Sequence, residues 1–289
     1  MLIFMPFATA ARKMFEAMLL SFDGFLAYAV AILSADVGSP ILAPIYDVVT
    51  KISTFVITPT ATSIIALCFF IEFMKLSLKM DMFKWEWAVS AMAKFAVAKA
   101  ALGIAPDFLL GIYQTGTGFI KTASSTFGLT NNSTYYIVTK QLFELMTDMK
   151  FFEELACIFV LFIPILVVWV VGIFLIVMSY ARMFEIMLYI AVSPLPIAFL
   201  PLENSNITKK FVLNFSAVVL QGLIMLVIVI IFQGFIGSFL TLFIEMMSQD
   251  GDKYVQIVAI AAAMLCSALT LLVMTMKSGQ VAKSVLGQA

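Results

Sequence analysis

Leu155 to Ala181 forms an uncharged run of about 27 residues, and roughly 20 apolar residues cross a bilayer core as a helix. Arg182 and Glu185 close it, and a second uncharged run follows with Ser193-Pro194-Leu195-Pro196 and Pro201. Ile52–Phe73 predicts another span, kinked at Pro59, and Tyr254–Met276 predicts the last. A proline is tolerated in a membrane helix where neighbours satisfy the freed carbonyl. Phe211–Ile244 is uncharged over about 34 residues, more than a straight crossing needs. Its excess predicts an interfacial start, a strong tilt, or a turn near Gly234 to Gly237.

Weaker patterns lie between these runs. Residues 1–33 alternate apolar groups with Arg12, Lys13, Glu16 and Asp23. Two readings fit, an amphipathic helix in the interface or a packed helix of the bundle. Asp36 to Pro40 marks a turn, with a short helix from Ile41 to Val49. Ala88–Tyr113 is long enough to cross but holds Lys94, Lys99 and Asp107. A lysine facing lipid at the bilayer centre costs about 2.5–3.5 kcal/mol. The segment therefore spans only with its lysine face on protein or water; otherwise it lies at the interface. Ala93, Val97 and Ala101 make a smooth strip for close packing, and Glu86, Ser90 and Lys94 share another face. Residues 114–153 are the most polar, with loop signals at Gln114–Gly118 and Asn131–Thr134 and a short amphipathic helix over Tyr135–Phe152. Glu153 and Glu154 suit the start of the next helix.

The predicted architecture is an all-α polytopic membrane helix bundle. It has five or six transmembrane segments, an N-terminal amphipathic helix, and a candidate re-entrant hairpin over Glu185–Leu202, broken at Pro194 and Pro196. Four regions follow: 1–50, 51–113, the central polar loop 114–153, and 154–289.

Composition agrees. The chain is 63% hydrophobic with mean hydropathy +1.09, against about 45–50% apolar residues in a soluble domain. Net charge is zero, so no basic nucleic-acid surface stands out. The absence of histidine removes His-based triads, most catalytic zinc sites and the commonest general base. Cys68, Cys157 and Cys266 each sit in an apolar run and read as buried thiols. No HExxH, GxSxG or phosphate-loop pattern occurs, so the expectation is a non-enzyme without a cofactor. The small face Ala259, Ala262, Ala263, Cys266 and Ser267 suits tight packing of the last helix.

Ionisable groups inside membrane segments usually face a cavity or a partner. The candidates for a polar lining or intramembrane pairs are Glu72, Lys94, Lys99, Asp107, Arg182 and Glu185, with Gln221 and Gln233 as neutral members. The competing structural reading of each is snorkelling near a helix end or a local pair such as Arg182 with Glu185.

Three stretches carry a family resemblance: TPTATSIIALCFFIEFMKLSLKMD (Thr58–Asp81), MAKFAVAKAALGIAPDFLLGIYQTGTGFI (Met92–Ile120) and SYARMFEIMLYIAVSPLPIAFLPLENSNITKKFVLNFSAVVLQGLI (Ser179–Ile224). Their order resembles the VirB6/TrbL family of conjugative type IV secretion channel proteins, in the branch of Gram-positive conjugative elements. The resemblance implies a cell-membrane channel or scaffold subunit that helps move relaxase-bound single-stranded DNA. It implies VirB3-, VirB4- and VirB8-like partners beside the lipid bilayer and further copies of the chain. It also implies an outside N-terminus, about five spans, an outside central loop and a cytoplasmic tail; the charge count agrees on the tail but places the central loop inside. Charge counting on a five-span scheme leaves about 12 of the 17 basic residues inside. A six-span scheme leaves roughly 10, and both schemes place the tail and Lys209-Lys210 in the cytoplasm. A small-molecule permease or ion channel component is the alternative, supported by broken helices and buried charge but not by any internal repeat.

Overall fold

The computed structural model describes residues 5–78, 85–127, 142, 144–146, 151–202, 206–248 and 253–287. Its regular elements are helices, with no strand among the described residues. They are α1 (Met5–Leu33), α2 (Ala43–Ile52), a π-helical turn (Ser53–Ile57), α3 (Thr58–Leu78), α4 (Trp85–Thr126), α5 (Phe151–Val192), α6 (Pro194–Ile197), α7 (Ile207–Ser248) and α8 (Lys253–Val285). Residues 142 and 144–146 are also helical, inside the range expected for a short helix; Asn131–Thr134 fall outside the described residues.

Among the described residues, six helical segments are long and apolar enough to cross a membrane: Lys13–Leu33, Ala43–Lys75, Met92–Thr126, Phe152–Val192, Ile207–Phe243 and Lys253–Val285. The chain is an all-α polytopic bundle and a multi-pass membrane protein. The uncharged run after Arg182 is not a separate segment among them. Residues 183–192 do not begin a span of their own; they complete α5, whose 42 residues extend about 63 Å at 1.5 Å per residue. The N-terminal helix supplies the sixth. Residues 114–126 are also helical, because α4 runs on through Gly116 and Gly118. Gly234 and Gly237 make no turn, and the excess length of α7 stays helical.

The chain divides into two compact units. Unit 1 comprises Met1–Leu33, Ile120–Tyr180 and Leu223–Ser278; unit 2 comprises Ser34–Phe119, Ala181–Gly222 and Gly279–Ala289.

In unit 1, α1 buries Phe15, Leu19, Phe22, Leu26, Ala29 and Leu33, spaced alternately by three and four residues. That spacing keeps one stripe of a helix against its neighbours. The stripe packs in one core with Leu161, Ile165 and Val168 of α5, Leu226, Val229 and Phe232 of α7, and Ile260, Met264 and Ala268 of α8. This supports the packed-helix reading of α1 over the interface-lying one. Gly172 of α5 permits the close approach: a Cβ there would lie 2.5 Å from the Phe25 ring. Leu142 and Met146, one turn apart, enter the same core.

One cluster of unit 2 is built on alanine. Ala61 and Ile65 of α3, Ala98 and Leu102 of α4, and Ala198 just after α6 are all buried together. Tyr113 of α4 is buried, and its hydroxyl donates to the Ala35 carbonyl at 2.6 Å, securing the turn after α1. Hydrocarbon chains are as apolar as leucine, so burial against lipid gains little and close packing holds such cores.

The expected kink at Pro59 takes the form of the π-helical turn directly before it. A proline ring collides with the carbonyl four residues back, and a widened turn relieves that collision. The neighbouring hydroxyls close on their own helix. Thr58 donates to Ser53 at 2.8 Å, Thr60 to Val56 at 2.7 Å, Thr62 to Thr58 at 2.9 Å and Ser63 to Pro59 at 3.2 Å.

Candidate intramembrane polar site

Nearly all the polar positions singled out in the sequence belong to unit 2. Glu72, Lys94, Lys99, Asp107, Arg182, Glu185, Gln221, Pro194 and Pro196 lie in it, and Gln233 lies in unit 1. They do not converge on a single point.

Glu72 is buried on α3. Among the described residues its Oε2 has no hydrogen-bond partner, and the Lys75 Nζ lies 3.6 Å away, one turn on and largely exposed. A carboxylate so placed is only partly compensated, because a charge out of water needs both a partner and hydrogen bonds.

On α4 the packed face is Ala98, Leu102, Ala105, Leu109 and Tyr113. The smooth strip expected to pack, Ala93, Val97 and Ala101, is not that face: Ala93 and Val97 are exposed and Ala101 is half-buried. The reason is local. Ala98 meets Ala61 and Ile65 of α3, which turns the neighbouring strip outward. Lys94, Lys99 and Asp107 are likewise exposed on unit 2, so they face whatever surrounds it. The side chain of Glu86, expected to share a face with Lys94, lies outside the described residues.

Arg182 and Glu185 pair within α5, with Nη1 donating to Oε2 at 2.5 Å. The guanidinium Nε is buried without an acceptor among the described residues. The pair sits in the last quarter of α5, eleven and eight residues before the chain turns at Ser193. The hairpin expected over Glu185–Leu202 is therefore narrower, since only residues 193–202 leave the regular helix of α5.

That break is well tied. Ser193 Oγ donates to the Ile190 carbonyl at 2.9 Å. Pro194 opens α6, where its missing N–H costs nothing. Thr208 Oγ1, in the first turn of α7, donates to the Pro196 carbonyl at 2.7 Å. The short helix packs on α3 and on the π-helical turn. The two proline-disrupted segments of the chain, around Pro59 and around Pro194 and Pro196, thus meet in unit 2. Each was visible in the sequence; their pairing was not.

Gln221 is buried, and its amide lies against Gly279, where a Cβ would stand 3.0 Å from Oε1. It fills a seam between α7 and α8. Gln233 is half-buried. Cys68 and Cys157 are buried as expected, but Cys266 is exposed. The small face of α8 shifts in the same sense: Ala259, Ala263 and Ser267 are buried, whereas Ala262 and Cys266 are exposed. One further step around a helix turns a side chain by about 100°.

Comparison with known families finds one match. A family described as TrbL/VirB6 plasmid conjugal transfer like protein covers residues 30–194, more than half of the chain. No curated protein and no solved structure matches.

Proposed function

The chain belongs to the TrbL/VirB6 family of plasmid conjugal transfer proteins, and from that premise we propose that it is a channel or scaffold subunit through which relaxase-bound single-stranded DNA is helped across the cell membrane. Membership makes it a membrane component of a conjugal transfer, type IV secretion, system. The DNA-moving role is our extension.

The observation that carries it is the extent of the match. Residues 30–194 include the π-helical turn before Pro59, buried Glu72, the Arg182–Glu185 pair and the first proline of the break. This stretch holds most of the charge inside the apolar segments, where charge is costly unless it is used or paired. In this reading the subunit works with VirB3-, VirB4- and VirB8-like proteins and with copies of itself. Its C-terminus is cytoplasmic, and the host is Gram-positive.

Deleting the gene abolishes conjugal transfer and leaves growth unchanged; transfer at the wild-type frequency would refute the reading. Buried Glu72 beside a broken helix also favours a second reading, a small-molecule permease or ion channel component. The purified chain in liposomes, without other transfer subunits, carries solute or ion flux only under that reading.

A further inference from the structure

A recess of about 480 Å³ opens in unit 2, lined by Asn206, Lys209, Lys210, Leu213 and Asn214 at the start of α7 and by Lys283 and Gly287 at the end of α8. Cavities of about 300–1,000 Å³ hold small ligands or headgroups. Three ammonium groups from two helices border this one, and among the described residues no carboxylate lies within ion-pair distance of any of them. Like charges gathered without counter-charge repel one another unless an anion sits between them. The first turn of α7 adds backbone N–H groups that have no acceptor within the helix and the positive end of a 42-residue helix.

The recess also lies at a definite level. Lys209 and Lys210 directly precede Phe211, where an uncharged run of about 34 residues begins. Lys283 follows the apolar part of α8 by seven residues, about 10 Å of helix. Headgroups occupy a layer of that order outside each face of the hydrocarbon core. The lining carries no aromatic side chain, whereas sites for single-stranded nucleic acid join basic groups to stacking rings. Leu213 offers one apolar wall.

We propose that this recess binds the phosphate of an anionic phospholipid headgroup, holding the start of α7 and the end of α8 at the membrane surface. It falls outside residues 30–194 and does not depend on the transfer role. Anionic lipids enrich the cytoplasmic leaflet and attract lysines near its surface, in keeping with a cytoplasmic tail.

The test uses the full chain in neutral detergent, with dihexanoyl-phosphatidylglycerol, dihexanoyl-phosphatidylcholine, inorganic phosphate and a thymidine oligonucleotide as probes. Binding is read by native mass spectrometry and by the shift in melting temperature. Phosphatidylglycerol binds and stabilises while phosphatidylcholine does not. The triple variant Lys209→Gln, Lys210→Gln, Lys283→Gln binds phosphatidylglycerol at least about tenfold more weakly, with an unchanged melting temperature when no lipid is added. Lys121→Gln with Lys277→Gln binds as the wild type does. Equal binding of both lipids, or undiminished binding by the triple variant, overturns the site. Displacement by inorganic phosphate at equal concentration overturns the lipid as its source, and lysine-dependent capture of the oligonucleotide in place of the lipid overturns it in favour of DNA. Should the triple variant melt early, each single Lys→Gln variant is scored on lipid affinity alone.

Discussion

Alanine at position 116 should be harmful, although the same change five residues earlier should help. Gly116 lies in α4 with Val219 of α7 against it. A Cβ at 116 would stand 2.4 Å from Val219 Cγ1, where carbon atoms attract best at about 3.5–4.0 Å. Val219 is β-branched and on a helix, so it has one strongly preferred rotamer and cannot readily swing the methyl aside. Overpacking of this kind costs about 1–3 kcal/mol. Alanine is also a better helix former than glycine by about 1 kcal/mol, which masks part of the loss. Gly111→Ala, in the same helix with nothing within 4 Å, shares that gain without the collision. The difference between the two variants isolates the contact at about 1–3 kcal/mol. Val219→Ala removes the offending methyl, and in combination with Gly116→Ala should restore about 0.5–3 kcal/mol beyond additivity. The assay is unfolding of the purified chain in mixed micelles against rising dodecyl sulfate, followed by tryptophan fluorescence. If Gly116→Ala and Gly111→Ala unfold alike, or Val219→Ala gives no rescue, the close crossing of α4 and α7 in unit 2 is wrong.

Three other outcomes follow from the same structure. Tyr113→Phe leaves the buried Ala35 carbonyl without its donor and should cost about 1–3 kcal/mol in the micelle assay; a neutral result would mean that another donor serves the turn. Glu72→Gln removes a charge whose Oε2 is buried without a hydrogen bond, so it should resist unfolding at least as well as the wild type, and a marked loss would show the carboxylate to be satisfied. Under the transfer reading the same variant should lower transfer frequency at equal protein level. In detergent, a maleimide should modify Cys266 well before Cys68 and Cys157, since only the first is exposed; equal rates would contradict the placement of α8.

The span positions were legible because hydropathy over about 20 residues integrates many side chains. The errors came where one residue type carries two meanings. Gln114–Gly118 combines glycine with hydroxyl side chains and reads as a loop, yet Gly116 is there because α7 passes too close for any side chain. The break at Pro194 and Pro196 stands where the sequence puts it, but the hairpin expected from Glu185 starts eight residues late, at Ser193. Arg182 and Glu185 satisfy each other within a turn of α5 and leave the helix intact until Ser193. On α4, two small-residue strips lie one position apart, and only the partner decides between Val97 and Ala98. That choice rests on Ala61 and Ile65, more than thirty residues away. Periodicity along one helix cannot tell which of the candidate charges meet; among the described residues Glu72 lies within ion-pair distance of Lys75.

Thr58, Thr60, Thr62 and Ser63 look like a hydrophilic patch in the middle of an oily stretch. Each hydroxyl proton is already spent on a carbonyl of its own helix, so what this side of α3 offers outward is largely the methyl groups of three threonines and the ring of Pro59. Fatty acyl tails can lie along it without stranding a donor. In this protein, therefore, a search for the wetted path should count polar atoms left wanting, of which the Glu72 oxygen is one, and not letters of the sequence that look water-loving.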